Sequence, residues 1–139
     1  MGRALAASGY NKGTKRETLW VTTKLRDSQQ GYDSALKAFD NSLELLQLDY
    51  VDMYMIHWPT PFDWRSTDTW KAFVKLRDEG MARTLGVCNF MPADLKRLHE
   101  ETGAWPAVNQ IELHPTWQQR EVVAFCKEHG IAWRPTRRW

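Results

Sequence analysis

Polar and ionisable side chains follow the short β-rich segments of this sequence, at the points where a strand would end. They are Lys24, His57, Trp58, Cys88, Asn89, Asn109 and Gln110. An amine and an imidazole suit proton transfer and charge stabilisation, and carboxamides both donate and accept hydrogen bonds. A purely structural strand would carry valine or isoleucine at such positions.

The alternation of residues along two of these segments predicts that a lysine and a histidine share a cavity. Every second side chain of a strand lies on one face, so Lys24 shares a face with Thr22, and His57 shares a face with Met55. Taken singly, each residue has a structural explanation: a solvated lysine, a hydrogen-bonded core histidine, an asparagine in a turn or helix cap. Their joint occurrence at successive strand ends favours a functional site.

Strands and helices are predicted to alternate along the whole chain. The predicted strands are 19–24, 51–58, 84–90, 108–113 and 131–133. Helical stretches, identified by apolar residues every three or four positions and by closing glycines, cover 1–9, 33–48, 66–80, 92–103 and 118–130. Strands that are each followed by a helix predict consecutive βα units and a parallel sheet.

Two α/β architectures agree with this order: a doubly wound sheet and a (β/α)₈ barrel. A doubly wound sheet that binds a dinucleotide has a Gly-rich turn after its first strand, and no predicted strand here is followed by one. The sequence therefore favours the barrel. Since a complete barrel takes about 250 residues, 139 residues cover little more than half of one.

Composition excludes several classes of protein. Hydrophobic residues make up 42% and charged residues 26%, which is typical of a folded soluble chain. A net charge of +2 gives no argument for nucleic acid or an anionic membrane. No apolar run approaches the ~20 residues of a membrane helix. The two cysteines have neither metal-ligand nor disulfide-framework spacing, so we expect a cytoplasmic protein with reduced thiols and no metal.

Four stretches resemble, in order, landmarks of the aldo-keto reductase family. They are VTTKL (21–25), DYVDMYMIHWP (49–59), GVCNF (86–90) and PAVNQIELHP (106–115). The segment from Val74 through Arg83 to LGVCNF also fits the family's second signature. The resemblance implies an α/β fold, a partial (β/α)₈ TIM barrel of about five parallel strands with flanking helices, lacking the first two strands and the last. The expected organisation is one partial domain over 1–139, with 134–139 outside the family pattern.

Family members bind NADP(H), less often NAD(H), and pass a hydride from nicotinamide C4 to an aldehyde or ketone carbon. A tyrosine acts as general acid, helped by a lysine, an aspartate and a histidine. By resemblance Lys24 is the lysine, His57 is the histidine and Trp58 belongs to the substrate pocket. The positions that hydrogen-bond the nicotinamide carboxamide match Cys88, Asn89 and Gln110, and the expected partner is a small-molecule carbonyl substrate rather than nucleic acid or membrane.

The sequence also departs from the family pattern. The family's catalytic aspartate and tyrosine precede the helix that 1–9 resembles, and they are not among these residues. After HGI (129–131) the chain continues as AWRPTRRW rather than into the family's Ser-Pro-Leu-Gly loop. Two residues after Lys24, Arg26 replaces a tryptophan that is frequent in the family. This change would make the substrate pocket more polar and would favour acidic or sugar-like carbonyl compounds. We expect a truncated chain that is inactive alone and self-associates through open sheet edges; the alternative is a non-catalytic module that docks a partner through those edges.

Overall fold

One parallel sheet organises the chain. The computed structural model describes residues 1–60 and 62–136. Its five strands are β1 (Thr22–Leu25), β2 (Val51–Ile56), β3 (Ala82–Cys88), β4 (Val108–Glu112) and β5 (Ala132–Thr136). They lie in the order β1-β2-β3-β4-β5, and every neighbouring pair is parallel. The predicted parallel α/β sheet is confirmed.

The strand order decides between the two architectures that the sequence left open. Each strand pairs with the strand that follows it in the chain, so the sheet is wound in one direction only. Because parallel crossovers are right-handed, successive connections in one direction place all their helices on one side of the sheet. A doubly wound sheet reverses direction and carries helices on both sides. The topology is that of a barrel wall.

Within residues 1–60 and 62–136, six α-helices flank the sheet. They are α1 (Gly2–Ser8), α2 (Gly13–Glu17), α3 (Tyr32–Leu46), α4 (Ser66–Asp78), α5 (Pro92–Thr102) and α6 (Arg120–Glu128), with a 3₁₀ helix at Asp27–Gln29. The start of α5 shows why the sequence signals were sufficient: Pro92 opens the helix, and the Asp94 carboxylate accepts the backbone N–H of Met91 at 2.9 Å. The two shortest helices, α2 and the 3₁₀ helix, were not predicted because neither is long enough to show a periodicity.

All five strands differ from their predicted bounds by one to three residues, and β2 ends at Ile56 rather than Trp58. β1 begins at Thr22 rather than Leu19, and β3 runs from Ala82 to Cys88, two residues earlier than expected. β5 extends to Thr136 and pairs with β4 along its whole length, although it was expected to end at Trp133. Its second half contains arginine and proline, which do not signal a strand. Residues 137–139 of the expected non-family tail lie outside the described residues.

The two faces of the sheet carry different cores. On the helix side Tyr54 packs between Phe39 and Phe73, with ring centroids 4.8 and 4.3 Å away, and Trp70 is fully buried. On the opposite face a smaller cluster contains Met53, Met55 and Cys88, with Val108 against it. Because β2 lies between these clusters, all six of its residues are buried. The second face is the one that lines the interior in a barrel.

A buried ion pair joins the amino ends of the strands. The Asp52 carboxylate accepts hydrogen bonds from the Arg16 guanidinium at 2.9 Å and from the backbone N–H of Val21 at 2.8 Å, and Arg83 lies 3.3 Å away. The side chains of Asp52 and Arg16 are both only 4% exposed. Arg16 also donates to the carbonyl oxygen of Tyr50. These contacts connect four parts of the chain, namely the helix α2, the strand β2, the strand β3 and the segment that precedes β1.

Candidate active site at the carboxyl ends of the strands

The strand register brings four of the predicted site residues to one edge of the sheet. Lys24 is paired with Met55 across β1 and β2, and Cys88 is paired with Gln110 across β3 and β4. His57 directly follows β2, whose last residue pairs with the residue before Cys88. In parallel strands these positions all lie at the carboxyl end, which is where barrel enzymes carry their active sites.

The Cys88 thiol bonds to Gln110 on β4 and lies near Lys24 on β1. Its Sγ donates to Gln110 Oε1 at 3.6 Å. Burial raises the pKa of the Cys88 thiol, and the positive charge of Lys24 opposes that change without cancelling it. The thiol is therefore a neutral donor near neutral pH, and the Lys24 ammonium lies close to it.

Asn89 occupies a conformation that few residue types tolerate. Its φ angle is 61°, in the left-handed region, where asparagine is enriched over most non-glycine residues. Its backbone N–H donates to the carbonyl oxygen of Gln110 at 2.9 Å, and its side-chain amide donates to the carbonyl oxygen of His57 at 3.4 Å. The turn therefore ties the end of β3 to the ends of both neighbouring strands.

His57 and Trp58 form the outer part of this edge. The His57 side chain is 49% exposed, and its ring meets the Trp58 ring edge-on at a centroid distance of 6.3 Å. His57 Nδ1 lies 3.9 Å from Oδ1 of Asp27, a residue of the 3₁₀ helix that follows β1. Trp58 is also exposed, so its indole is available to a ligand.

Sequence reasoning missed the residue that holds this segment in place. Gln30 is 2% exposed, and its side-chain Nε2 donates to the carbonyl oxygen of Trp58 at 2.7 Å. Its Oε1 accepts the Ser66 hydroxyl at 3.2 Å, which joins the loop to the start of α4. A buried glutamine with both ends of its amide bonded fixes the main chain on which His57 and Trp58 stand. No periodicity marks it, because it lies between two helices.

Asn109, noted at the same strand end, faces the other side of the sheet. It is fully buried, its Nδ2 donates to the carbonyl oxygen of Phe90 at 2.9 Å, and its Oδ1 accepts the Phe90 N–H at 3.4 Å. It supports the turn that carries Asn89. Strand alternation already implies that Asn109 and Gln110 point to opposite faces of the sheet, so only one of them can lie on the same face as Lys24 and Cys88.

The donor set at this edge fits a carboxamide ligand. The Asn89 and Gln110 amides each combine a donor and an acceptor, Cys88 adds a neutral thiol, and Lys24 adds a positive charge nearby. The nicotinamide group of NADP(H) carries a carboxamide of this kind. A groove of about 840 Å³ lies elsewhere, between α6 and β5, where Leu113, Val123 and similar side chains line it. It contains none of these groups.

Solved structures share this architecture. An aldo/keto reductase of Brucella melitensis superposes with a TM-score of 0.90 at 48% identity, covering 98% of this chain and 52% of that one. The aldo-keto reductase of Bombyx mori, solved in complex with NADP, gives 0.84 at 37% identity over 96% of this chain and 46% of that one. These structural neighbours confirm the partial barrel fold that the sequence predicted.

Curated relatives point the same way. Methylglyoxal reductase DkgA of Yersinia pestis is 44% identical over 138 residues, which is 97% of this chain and 48% of that protein. The chain spans about half the length of the relatives it matches. In the described part of the chain, no helix has the length and apolarity to cross a membrane. A sequence model of the aldo/keto reductase family matches residues 1–136, and the chain belongs to that family.

Proposed function

We propose that this chain binds the nicotinamide end of NADP(H) and takes part in the reduction of small aldehydes and ketones. The observation that carries the proposal is the convergence of Lys24, His57, Cys88 and Gln110 on the carboxyl edge of one parallel sheet. The NADP complex of the Bombyx mori relative supports the choice of cofactor. The name of the Yersinia pestis relative supports a small carbonyl substrate.

Each residue has a separate role in this proposal. The Asn89 and Gln110 amides, with the Cys88 thiol, hold the carboxamide and so fix which face of the ring meets the substrate. NADPH, when bound, supplies the hydride. Lys24 provides positive charge where negative charge develops on the carbonyl oxygen, and His57 orients that oxygen. Trp58 forms an apolar wall for the substrate.

The 139-residue polypeptide by itself is proposed to be a poor catalyst. The resemblance assigns the general acid to a tyrosine and the partner of the lysine to an aspartate, and by the same resemblance neither position has a counterpart in these 139 residues. General acid catalysis is worth roughly 10²–10⁴-fold in rate. We therefore expect the polypeptide to bind NADPH but to reduce aldehydes and ketones only slowly.

Gln110→Ala tests the cofactor site directly. Loss of a well-formed hydrogen bond between two amides removes about 1–1.5 kcal/mol of binding free energy, so the Kd for NADPH should rise about tenfold. The measurement is a fluorescence titration with NADPH. Gln118→Ala, at an exposed position in the next loop, is the matched control and should bind as the native chain does. Equal affinity of both variants and the native chain for NADPH would count against a carboxamide site at Gln110.

The second candidate, a docking module, rests on the two outer strands. Among the described strands, β1 has β2 as its one neighbour and β5 has β4, and Trp20 beside β1 is 61% exposed. Unpaired strand edges favour association with another chain. A pull-down with the polypeptide tests docking, and recovery of no partner would leave only the cofactor-binding proposal. Sedimentation velocity over a range of concentrations tests self-association through the same strands, and a monomer at every concentration would exclude it.

A further inference from the structure

We propose that Arg134 binds the phosphate group nearest the nicotinamide ring of NADP(H), and that the rest of the cofactor therefore leaves the site over β5. The inference rests on the proposed function, because it takes Cys88 and Gln110 as contacts of the carboxamide. It adds a residue that the family landmarks do not include. Arg134 lies after HGI (129–131), where the sequence departs from the family pattern.

Arg134 lies beside Gln110 at the carboxyl edge of the sheet. The register of β4 and β5 pairs Gln110 with Arg134, and the register of β3 and β4 pairs Cys88 with Gln110. These three residues therefore form one row across three strands. Because neighbouring strands lie about 4.8 Å apart, the main chain of Arg134 is about 5 Å from that of Gln110 and about 10 Å from that of Cys88 along this row.

The side chain of Arg134 lies on the same face of the sheet as that of Gln110. Its two neighbours in β5, Trp133 and Pro135, line the groove between α6 and β5, so both face the helices. Successive residues of a strand alternate between the two faces. Arg134 is therefore directed to the opposite face, which carries the thiol of Cys88.

The Arg134 guanidinium is available to an anionic ligand. The residue is exposed, and within residues 1–60 and 62–136 it forms no ion pair with a carboxylate. Glu112 lies on the same face of β4, but its Oε1 is 3.6 Å from Nε2 of His114, in the loop that follows the strand. A guanidinium presents its N–H donors in a planar arrangement that fits two oxygens of a phosphate group.

The chemistry of the nicotinamide ring decides on which side of the site the phosphate lies. The carbonyl substrate has to meet C4 of the ring, and the groups proposed to contact that carbonyl, Lys24 and His57, lie at the ends of β1 and β2. The ribose is attached to N1, directly across the ring from C4. With the carboxamide held by Cys88 and Gln110, the ribose and its phosphate therefore point away from β1 and toward β5, where Arg134 places a positive charge.

The test compares two ligands that differ only in the phosphate, namely reduced nicotinamide mononucleotide and reduced nicotinamide riboside. Each is titrated into the 139-residue chain, and the fluorescence of the dihydronicotinamide ring gives the Kd. The native chain should bind the mononucleotide about five- to tenfold more tightly, as expected for one charge-assisted contact at an exposed site. Arg134→Gln should abolish this preference and leave the Kd for the riboside unchanged.

Two further variants serve as controls. Arg3→Gln removes the same charge from an exposed position on α1 and should keep the preference for the mononucleotide. Lys24→Gln removes the positive charge on the substrate side and should also keep it. An unchanged Kd for the riboside shows that each variant is folded and retains the nicotinamide site.

Three results would overturn the inference. In the first, the native chain binds both ligands equally well; in the second, Arg134→Gln retains the preference for the mononucleotide. In the third, Lys24→Gln loses the preference, which would place the phosphate over β1. In each case binding of the riboside leaves the proposed nicotinamide site standing. A native chain that binds neither ligand would refute that site, and the role of Arg134 with it.

Discussion

Replacement of Asp52 with alanine is expected to lower the free energy of unfolding by about 3–5 kcal/mol, because it leaves a buried guanidinium without its partner. Arg16 and Asp52 are each 4% exposed, and the carboxylate also accepts the Val21 N–H. Small domains have a net stability of about 5–15 kcal/mol. A loss of this size is a large fraction of that stability, and urea denaturation followed by tryptophan fluorescence measures it.

The control for this change is Asp49→Ala, an exposed aspartate three residues earlier in the chain, which should shift stability by less than about 0.5 kcal/mol. Removing both charges together, as Arg16→Met with Asp52→Leu, should recover part of the loss, since no buried charge is then left unpaired. If Asp52→Ala unfolds at the same urea concentration as Asp49→Ala, the ion pair does not hold the amino ends of the strands together.

The second large effect concerns Lys24 and needs a complete barrel. Residues 1–136 of this chain can replace the matching half of the Yersinia pestis methylglyoxal reductase, to which the chain is 44% identical. The hybrid should reduce methylglyoxal with NADPH. Lys24→Met in the hybrid should lower kcat by roughly 10²–10⁴-fold, the range for loss of proton-transfer assistance. Its ammonium would stabilise the charge that develops during proton transfer to the carbonyl oxygen.

Lys37→Met provides the comparison, because Lys37 is exposed on α3 and should leave kcat of the hybrid unchanged. A steady-state assay of NADPH consumption gives kcat for the Lys24→Met and the Lys37→Met hybrids. A Lys24→Met hybrid that retains the kcat of the unmodified hybrid would show that Lys24 has no catalytic part. An unmodified hybrid that folds and binds NADPH but does not reduce methylglyoxal would contradict the whole assignment of roles.

The fold was largely predictable because each long element carries its own signal. The apolar stripe of α3 and the segment of β2, which is apolar except for Asp52, are long enough to be recognised alone. The absence of a Gly-rich turn correctly favoured a barrel over a doubly wound sheet. The end of β5 was not predictable, since Arg134 and Pro135 join the sheet through backbone pairing with β4 rather than through apolar side chains.

Only the residues of the candidate site that lie at strand ends could be predicted from the sequence. Lys24, His57 and Gln110 follow from alternation and from the family landmarks, because strand register depends on the local pattern. Gln30 could not be found in this way. Its role comes from a contact between two loops about 30 residues apart in sequence, and no local pattern records such a contact. Asp52 is a similar case, since its partner Arg16 lies on a helix of five residues.

The most direct test of the central claim is a titration of the ¹⁵N-labelled chain with NADPH, following the side-chain amide signals of Asn89 and Gln110. Asn89→Asp and Gln110→Glu assign these signals. We predict that both shift in a saturable way with one common Kd, while the amide of exposed Gln118 does not move. Amide signals of Asn89 and Gln110 that stay fixed at saturating NADPH would contradict the claim that the carboxyl ends of these strands hold the nicotinamide.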